Sequence, residues 1–162
     1  MAFRFSPKEI LTMATELERR GIAFYEVLEK KTTREEGKRI FRFLADEERR
    51  HLEIFSKLLE NAPDTIIDED GEASRYLGAI VESGVLHKVL QGELNPEALG
   101  ILEALDIGIQ VEKESILFYQ GFLPFVASEK KNWVEEVVAE ERRHLVQLSA
   151  LKEEVSRGMS GA

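Results

Sequence analysis

Apolar residues recur every three to four positions along four long stretches of the chain, each opened by a helix-start signal. In the first stretch Ile10, Leu11, Ala14, Leu17, Gly21, Tyr25 and Leu28 share one helical face. Ser6-Pro7-Lys8-Glu9 predicts its start, with a hydroxyl cap, proline at the first helical position and a glutamate to close the capping box. Its end is predicted near Lys31. The second stretch follows after a short turn, with Thr33-Arg34-Glu35-Glu36 as its capping box. It turns Gly37, Ile40, Phe41, Leu44, Leu52, Phe55 and Leu59 inward and ends at Asn61-Ala62-Pro63-Asp64. So short a connection makes the two helices antiparallel neighbours. The third stretch starts at Asn95-Pro96 or at Gly100. It presents Leu105, Gly108, Ile109, Ser115, Ile116, Tyr119 and Phe122 on one face, and Pro124 stops or bends it. Ser128 is the predicted cap of the fourth, whose inward set includes Val134, Val137, Val138, Leu145, Leu148 and Leu151. The tail SRGMSGA is expected to fray.

Residues 61–95 carry a weaker pattern. TIIDEDGEA reads as an acidic loop, and YLGAIVESGVLHKVL as one or two short helices interrupted by glycine. The segment is long enough to carry the chain from one end of a helical bundle to the other. The expected organisation is a single domain over residues 1–162, made of a hairpin (6–60), a crossover (61–95) and a second hairpin (96–157).

Six charged or titratable residues fall on the inward faces, where desolvation penalises them: Glu18, Glu48, His51, Glu112, Glu141 and His144. Glu48 with His51, and Glu141 with His144, stand three residues apart, so each pair leaves one side of its helix and can reach one point. These are two of the chain's three histidines. The third, His87, has no carboxylate at ligand spacing and reads as a surface or packing residue. The two halves of the chain also superpose. ELERRGIAFY (16–25) matches QVEKESILFY (110–119), which sets Glu18 on Glu112 and Tyr25 on Tyr119 at an offset of 94. The Glu-x-x-His pairs repeat at an offset of 93. The chain therefore reads as a duplicated helical hairpin. Duplication alone keeps apolar faces and caps. Four glutamates and two histidines at matched inward positions point to a shared ligand. Four converging carboxylates repel one another, and two divalent cations would neutralise them. Oxygen and imidazole donors suit iron or manganese, and also admit zinc. In di-iron carboxylate bundles the ligands are a Glu from each of two helices and a Glu-x-x-His from each of the other two, and these residues match that set.

Composition narrows the remaining choices. The 162 residues are 33% charged and 43% hydrophobic, which suits an all-α globule. With no cysteine there is no disulfide, iron–sulfur cluster, thiolate zinc site or Cys-ligated rubredoxin iron. The opening MAFRFSPKE lacks an apolar core, and no run approaches 18 apolar residues, so a soluble cytoplasmic protein is expected. A net charge of −9 argues against a nucleic-acid or anionic-membrane partner.

The pattern E-x5-FY…EExxH, present twice, resembles the rubrerythrin branch of the ferritin-like superfamily across nearly the whole chain outside 61–95. The resemblance implies an antiparallel four-helix bundle with a long crossover between its second and third helices. It implies two iron ions held by Glu18, Glu48, His51, Glu112, Glu141 and His144, with Glu48 and Glu141 bridging. It also implies that Tyr25 and Tyr119 lie near the metal-bound carboxylates. Each stands seven residues from the glutamate on its own helix, two turns along one face, so packing and hydrogen bonding both remain open roles. Two departures matter. No rubredoxin cysteines are present, so electrons are expected from a separate donor. Peroxidase-type rubrerythrins carry a further Glu three residues after the helix-three ligand, where this chain has Ser115, matched by Gly21 in helix one. With Ala14 and Gly108, these small residues signal either a pocket at the metals or close helix packing. The functions implied are reduction of peroxide or dioxygen by a di-iron oxidoreductase, or Fe(II) oxidation by an iron-handling protein. A bundle that only binds partners is the non-catalytic alternative. A homo-oligomer, a dimer, is expected.

Overall fold

The computed structural model describes residues 4–160, with side chains through 158. Its six α-helices are α1 (Pro7–Lys31), α2 (Glu35–Glu60), α3 (Glu72–Val81), α4 (Gly84–Leu90), α5 (Ile101–Gly121) and α6 (Lys131–Ser160). There is no strand among the described residues, and no helix there is long and apolar enough to cross a membrane. The four long helices form a bundle of two hairpins, α1 with α2 and α5 with α6. Between the hairpins, Tyr25 meets Glu112 and Tyr119 meets Glu18, so α1 and α5 run in opposite directions. His51 lies beside Glu141 and His144 beside Glu48, which sets α2 antiparallel to α6 in the same way.

The start of α1 is the predicted one. Ser6 Oγ accepts from the Glu9 amide, and Glu9 Oε2 accepts from the Ser6 amide at 2.8 Å. The other predicted caps are corrected. Helix α2 has Arg34, not Thr33, at its cap position, and no side chain caps it. Only Thr32, Thr33 and Arg34 join α1 to α2, and Thr32 already terminates α1, so Thr33 sits one residue too early. Ser128 is likewise no cap, because residues Ser128–Lys130 form a 3-10 turn before α6 begins. The third long helix starts at the later of its two sites. Asn95 caps a 3-10 turn over Pro96–Ala98, and α5 begins after Gly100. It ends at Gly121, with Pro124 inside a further 3-10 turn. The expected fraying of SRGMSGA is not seen through Ser160, which is helical; Gly161 and Ala162 lie outside the described residues.

The apolar interior is split into two layers. One gathers Ile10, Ala14, Phe55, Phe118, Phe122, Val134 and Val137 together with Leu77, Leu86 and Val89 of the crossover. The other gathers Tyr25, Leu28, Phe41, Leu44, Leu105, Leu148 and Leu151. Among the inward residues predicted on α2, Ile40, Leu52 and Leu59 are only half-buried, while Ala45 and Leu58 are buried. Ala14 and Gly108 serve packing. Ala14 is buried within the first layer, and a Cβ at Gly108 would come 3.3 Å from Phe24.

The crossover folds as two short helices laid on α5. His87 is a packing residue, with Nδ1 3.2 Å from the Val81 carbonyl. Helix α4 is tied down by Glu114 of α5, whose carboxylate accepts from the Leu86 amide at 2.9 Å and the Val85 amide at 3.3 Å. Gly84 makes this possible twice over. Its φ of 73° lies in the left-handed region, and a Cβ there would fall 2.5 Å from Glu114 Oε1. Glu114→Ala is therefore expected to cost about 1 kcal/mol, read as a Tm lower by roughly 2–4 °C. Gly84→Ala should cost more, since it strains the backbone and displaces the same carboxylate. Unchanged melting of both variants would show that α4 is held by its apolar face alone.

Candidate metal centre

The titratable residues singled out in the sequence come together between the two apolar layers. Glu18, Glu48, His51, Glu112, Glu141 and His144 are each at most 4% exposed. Each long helix contributes: Glu18 from α1, Glu48 and His51 from α2, Glu112 from α5, Glu141 and His144 from α6. Their positions follow from the helical repeat, because residues three or four apart share a face.

The donor atoms form two adjacent sets. Glu18, Glu48, His51 and Glu141 each offer an atom, all within 4.8 Å of one another, and so do Glu48, Glu112, Glu141 and His144. Glu48 and Glu141 belong to both. His51 Nδ1 lies 3.1 Å from Glu48 Oε2, 3.2 Å from Glu141 Oε1 and 3.7 Å from Glu18 Oε2. His144 Nδ1 lies 3.0 Å from Glu141 Oε2, and 3.8 Å from both Glu48 Oε1 and Glu112 Oε1. Both rings thus aim Nδ1 at the carboxylates, and the rings stack with centroids 5.6 Å apart.

The tyrosines do more than pack. Tyr119 donates to Glu18 Oε1, and Tyr25 donates to Glu112 Oε1. Each bond crosses to the other hairpin, so neither tyrosine leans toward the glutamate of its own helix. Burial, and then the adjacent glutamate, raises both phenol pKa values, which keeps them protonated donors.

Two further carboxylates escaped the sequence reading. His51 Nε2 lies 2.7 Å from Glu140 Oε2, and Arg50 holds the same oxygen at 2.5 Å. Arg50 also reaches Glu47 at 2.9 Å, but Glu47 stays 3.9 Å from His144 Nε2. That nitrogen is buried and has no hydrogen-bond partner among the described residues. Glu47 and Glu140 are the first glutamates of the two EExxH repeats, so the offset of 93 was the available signal. Spacing could not show it, because Glu140 reaches across to the histidine of the opposite hairpin, and Glu47 lies toward His144 across the same seam.

The electrostatics describe a cluster short of positive charge. The ion-pair partners of Glu18, Glu48, Glu112 and Glu141 are the two histidines, and among the described residues no Lys or Arg reaches them. Burial, then repulsion from Glu141 and Glu18, pushes Glu48 well above the ordinary glutamate value of 4.5. Burial and Glu141 do the same to Glu112. Burial also opposes ionisation of Glu18, but hydrogen bonds from Glu48 and His51 outweigh it and leave Glu18 lowered. Burial would discharge His51, yet its bonds to Glu141, Glu18 and Glu48 prevail and raise its pKa far above 6.5. For His144, burial wins and the pKa falls. Six oxygen and imidazole donors with excess negative charge fit a pair of divalent cations.

A cavity of about 160 Å³ opens beside this cluster, between α1 and α5. Glu18, Glu48, Glu112, Glu141, Gly21 and Ser115 line its inner end. Two of the four small residues noted in the sequence thus border open space. A Cβ at Gly21 would point to Glu48, 3.5 Å from its Cγ.

The sequence matches the family model for rubrerythrin over residues 9–152. Among solved structures, the fold is similar to a protein from Thermotoga maritima described as a ferritin-like diiron-carboxylate protein. The similarity has a TM-score of 0.70 at 27% identity and covers 96% of this chain and 99% of that one. A search of the curated proteins found no match.

The shifted groups fix how the metal-free protein responds to pH. Glu48 and Glu112 have raised folded pKa values, so they oppose folding increasingly as pH climbs above 4.5. The elevated pKa of His51 contributes stability that is full below 6.5 and is lost as pH rises beyond it. His144 acts in the opposite sense, gaining as pH rises to 6.5 and no further. Glu18 contributes stability above 4.5 that is lost only toward lower pH. Thermal melts of chelator-treated protein should therefore fall from pH 5 to pH 8, most steeply above about 6.5. A flat profile over that range would contradict the burial of these groups.

Proposed function

The chain belongs to the rubrerythrin family, and from that premise we propose that it is a di-iron oxidoreductase reducing a peroxide or dioxygen at the Glu/His cluster. The observation that carries the proposal is the sharing of Glu48 and Glu141 between two adjacent donor sets. Glu18 and His51 complete one set, and Glu112 and His144 complete the other. Two ions close together would share such a pair of carboxylates, with Glu18 and His51 left to hold one and Glu112 and His144 the other. When bound, a redox-active metal pair supplies electrons and polarises the O–O bond. Zinc has no redox chemistry, which favours iron or manganese for this role.

The chain's own residues prepare the site. Tyr119 occupies Glu18 Oε1, which leaves Oε2, the oxygen facing His51, for a metal. A carboxylate accepting from Nε2–H fixes the tautomer that keeps Nδ1 free as a ligand. Glu140 is placed to do this for His51, and Arg50 steadies Glu140. The apolar layers above and below keep bulk water from the donors, which strengthens every charge interaction among them.

About two transition-metal ions per chain are expected from six matched ligands. Glu48→Ala and Glu141→Ala should each abolish one or both sites. Metal analysis of the purified proteins decides this, and full occupancy in the double variant would end the proposal. Stopped-flow mixing of the Fe(II) protein with hydrogen peroxide, and separately with dioxygen, then tests the chemistry.

Ser115 occupies the position of the further glutamate in peroxidase-type rubrerythrins. It faces the cavity, so a longer side chain has room. Ser115→Glu should supply a seventh ligand, the fifth carboxylate, and speed oxidation of the Fe(II) protein by hydrogen peroxide. If the position serves packing, the same variant should lose about 1–3 kcal/mol of stability and gain no rate. Melting temperatures and oxidation rates of the two proteins separate these outcomes.

A further inference from the structure

Dioxygen and hydrogen peroxide are little larger than water, whose share of liquid volume is about 30 Å³. The cavity beside the cluster is about 160 Å³. An engineered apolar cavity of roughly 150 Å³ is known to hold benzene. The space is therefore several times what a diatomic or hydrogen peroxide needs. It is also too small for a long acyl chain.

Its walls change character along its length. The inner end carries the carboxylates, the two tyrosines and the Ser115 hydroxyl. Farther out the walls are Leu17 and Phe24 of α1, Val111 of α5, and Val89 and Leu94 of the crossover. At the rim the Arg20 guanidinium lies against Gly92. The end of α4 and the loop that follows it, residues 89–96, thus roof a cavity that is polar at the metal cluster and apolar above it. A ligand that matches both ends has a compact hydrocarbon body and one small oxygen-bearing head.

We propose that this cavity binds a compact organic hydroperoxide, with the hydrocarbon body under the 89–96 roof and the O–O group at the carboxylate end. The assignment rests on the reading of the cluster as a peroxide-reducing centre and specifies its substrate class. In the reaction the O–O bond breaks. The oxygen attached to carbon takes a proton and leaves as an alcohol, and the outer oxygen takes two protons and leaves as water, counting the proton it already carried. With the site loaded, a reduced metal pair would supply the two electrons, and an external one-electron donor protein would restore them.

The site can be tested without turnover. 2-Phenyl-2-propanol, the alcohol formed from cumene hydroperoxide, is titrated into zinc-loaded protein by calorimetry. Saturable binding is expected. Leu94→Trp, a change in the roof loop, and Val89→Phe, a second change in case the first misfolds, should each weaken it about tenfold or more, equivalent to about 1.4 kcal/mol. In the iron protein, the kcat/KM for cumene hydroperoxide relative to that for hydrogen peroxide should fall by about the same factor in either variant. Absence of saturable alcohol binding to the natural protein would overturn the proposal. So would a selectivity ratio that neither folded variant changes. Alcohol binding with no reduction of either peroxide would instead defeat the peroxide-reducing reading, and the hydroperoxide assignment with it, while leaving the ligand site standing.

Discussion

Four carboxylates buried between two apolar layers repel one another, and the rest of the structure is arranged around that repulsion. Glu18, Glu48, Glu112 and Glu141 are almost fully removed from water, and no Lys or Arg among the described residues reaches them. Two tyrosine hydroxyls and two imidazoles lie close, but they offer at most two positive charges against four negative ones. The mismatch shows in the protonation pattern, with Glu48 and Glu112 driven toward the neutral acid and His51 held charged. Without metal the protein therefore holds protons where a divalent pair would otherwise supply charge. Folding stability and metal affinity become one problem at this layer.

The duplication gives the site its outline, and departures from exact repetition make its halves unequal. Glu140 meets His51 directly, while its counterpart Glu47 stays 3.9 Å from His144 Nε2, which has no hydrogen-bond partner among the described residues. The cavity is also one-sided. It opens between α1 and α5 and is covered by the crossover, which joins the hairpins and has no counterpart within either. Small residues at matched places, Gly21 and Ser115, both border it.

Much of this was legible in the sequence, for identifiable physical reasons. The four long helices announce themselves by apolar period. The six cluster residues stand out because charge on an inward face needs a partner, and the repeat doubled the signal. The crossed tyrosine bonds were hidden, because spacing along one helix says nothing about which neighbour a side chain meets. Glu47 and Glu140 were hidden in the same way. Ala14 and Gly108 share their small size with Gly21 and Ser115 but lie against side chains instead of open space, a distinction only packing reveals. Thr33 and Ser128 had suitable cap chemistry, but a three-residue connection and a 3-10 turn displaced them. The crossover was least legible. Glycine-broken short helices have weak periods, and α4 is fixed by Glu114 of α5, a contact between residues nearly thirty positions apart.

The central claim is that Glu48 and Glu141 stand between two metal ions. Anomalous diffraction at the iron edge, from crystals of the iron-loaded protein, tests it most directly. Two peaks are predicted per chain, one beside Glu18 and His51 and the other beside Glu112 and His144, with both shared carboxylates between them. A single peak, or two peaks of which only one touches Glu48 and Glu141, would contradict the account.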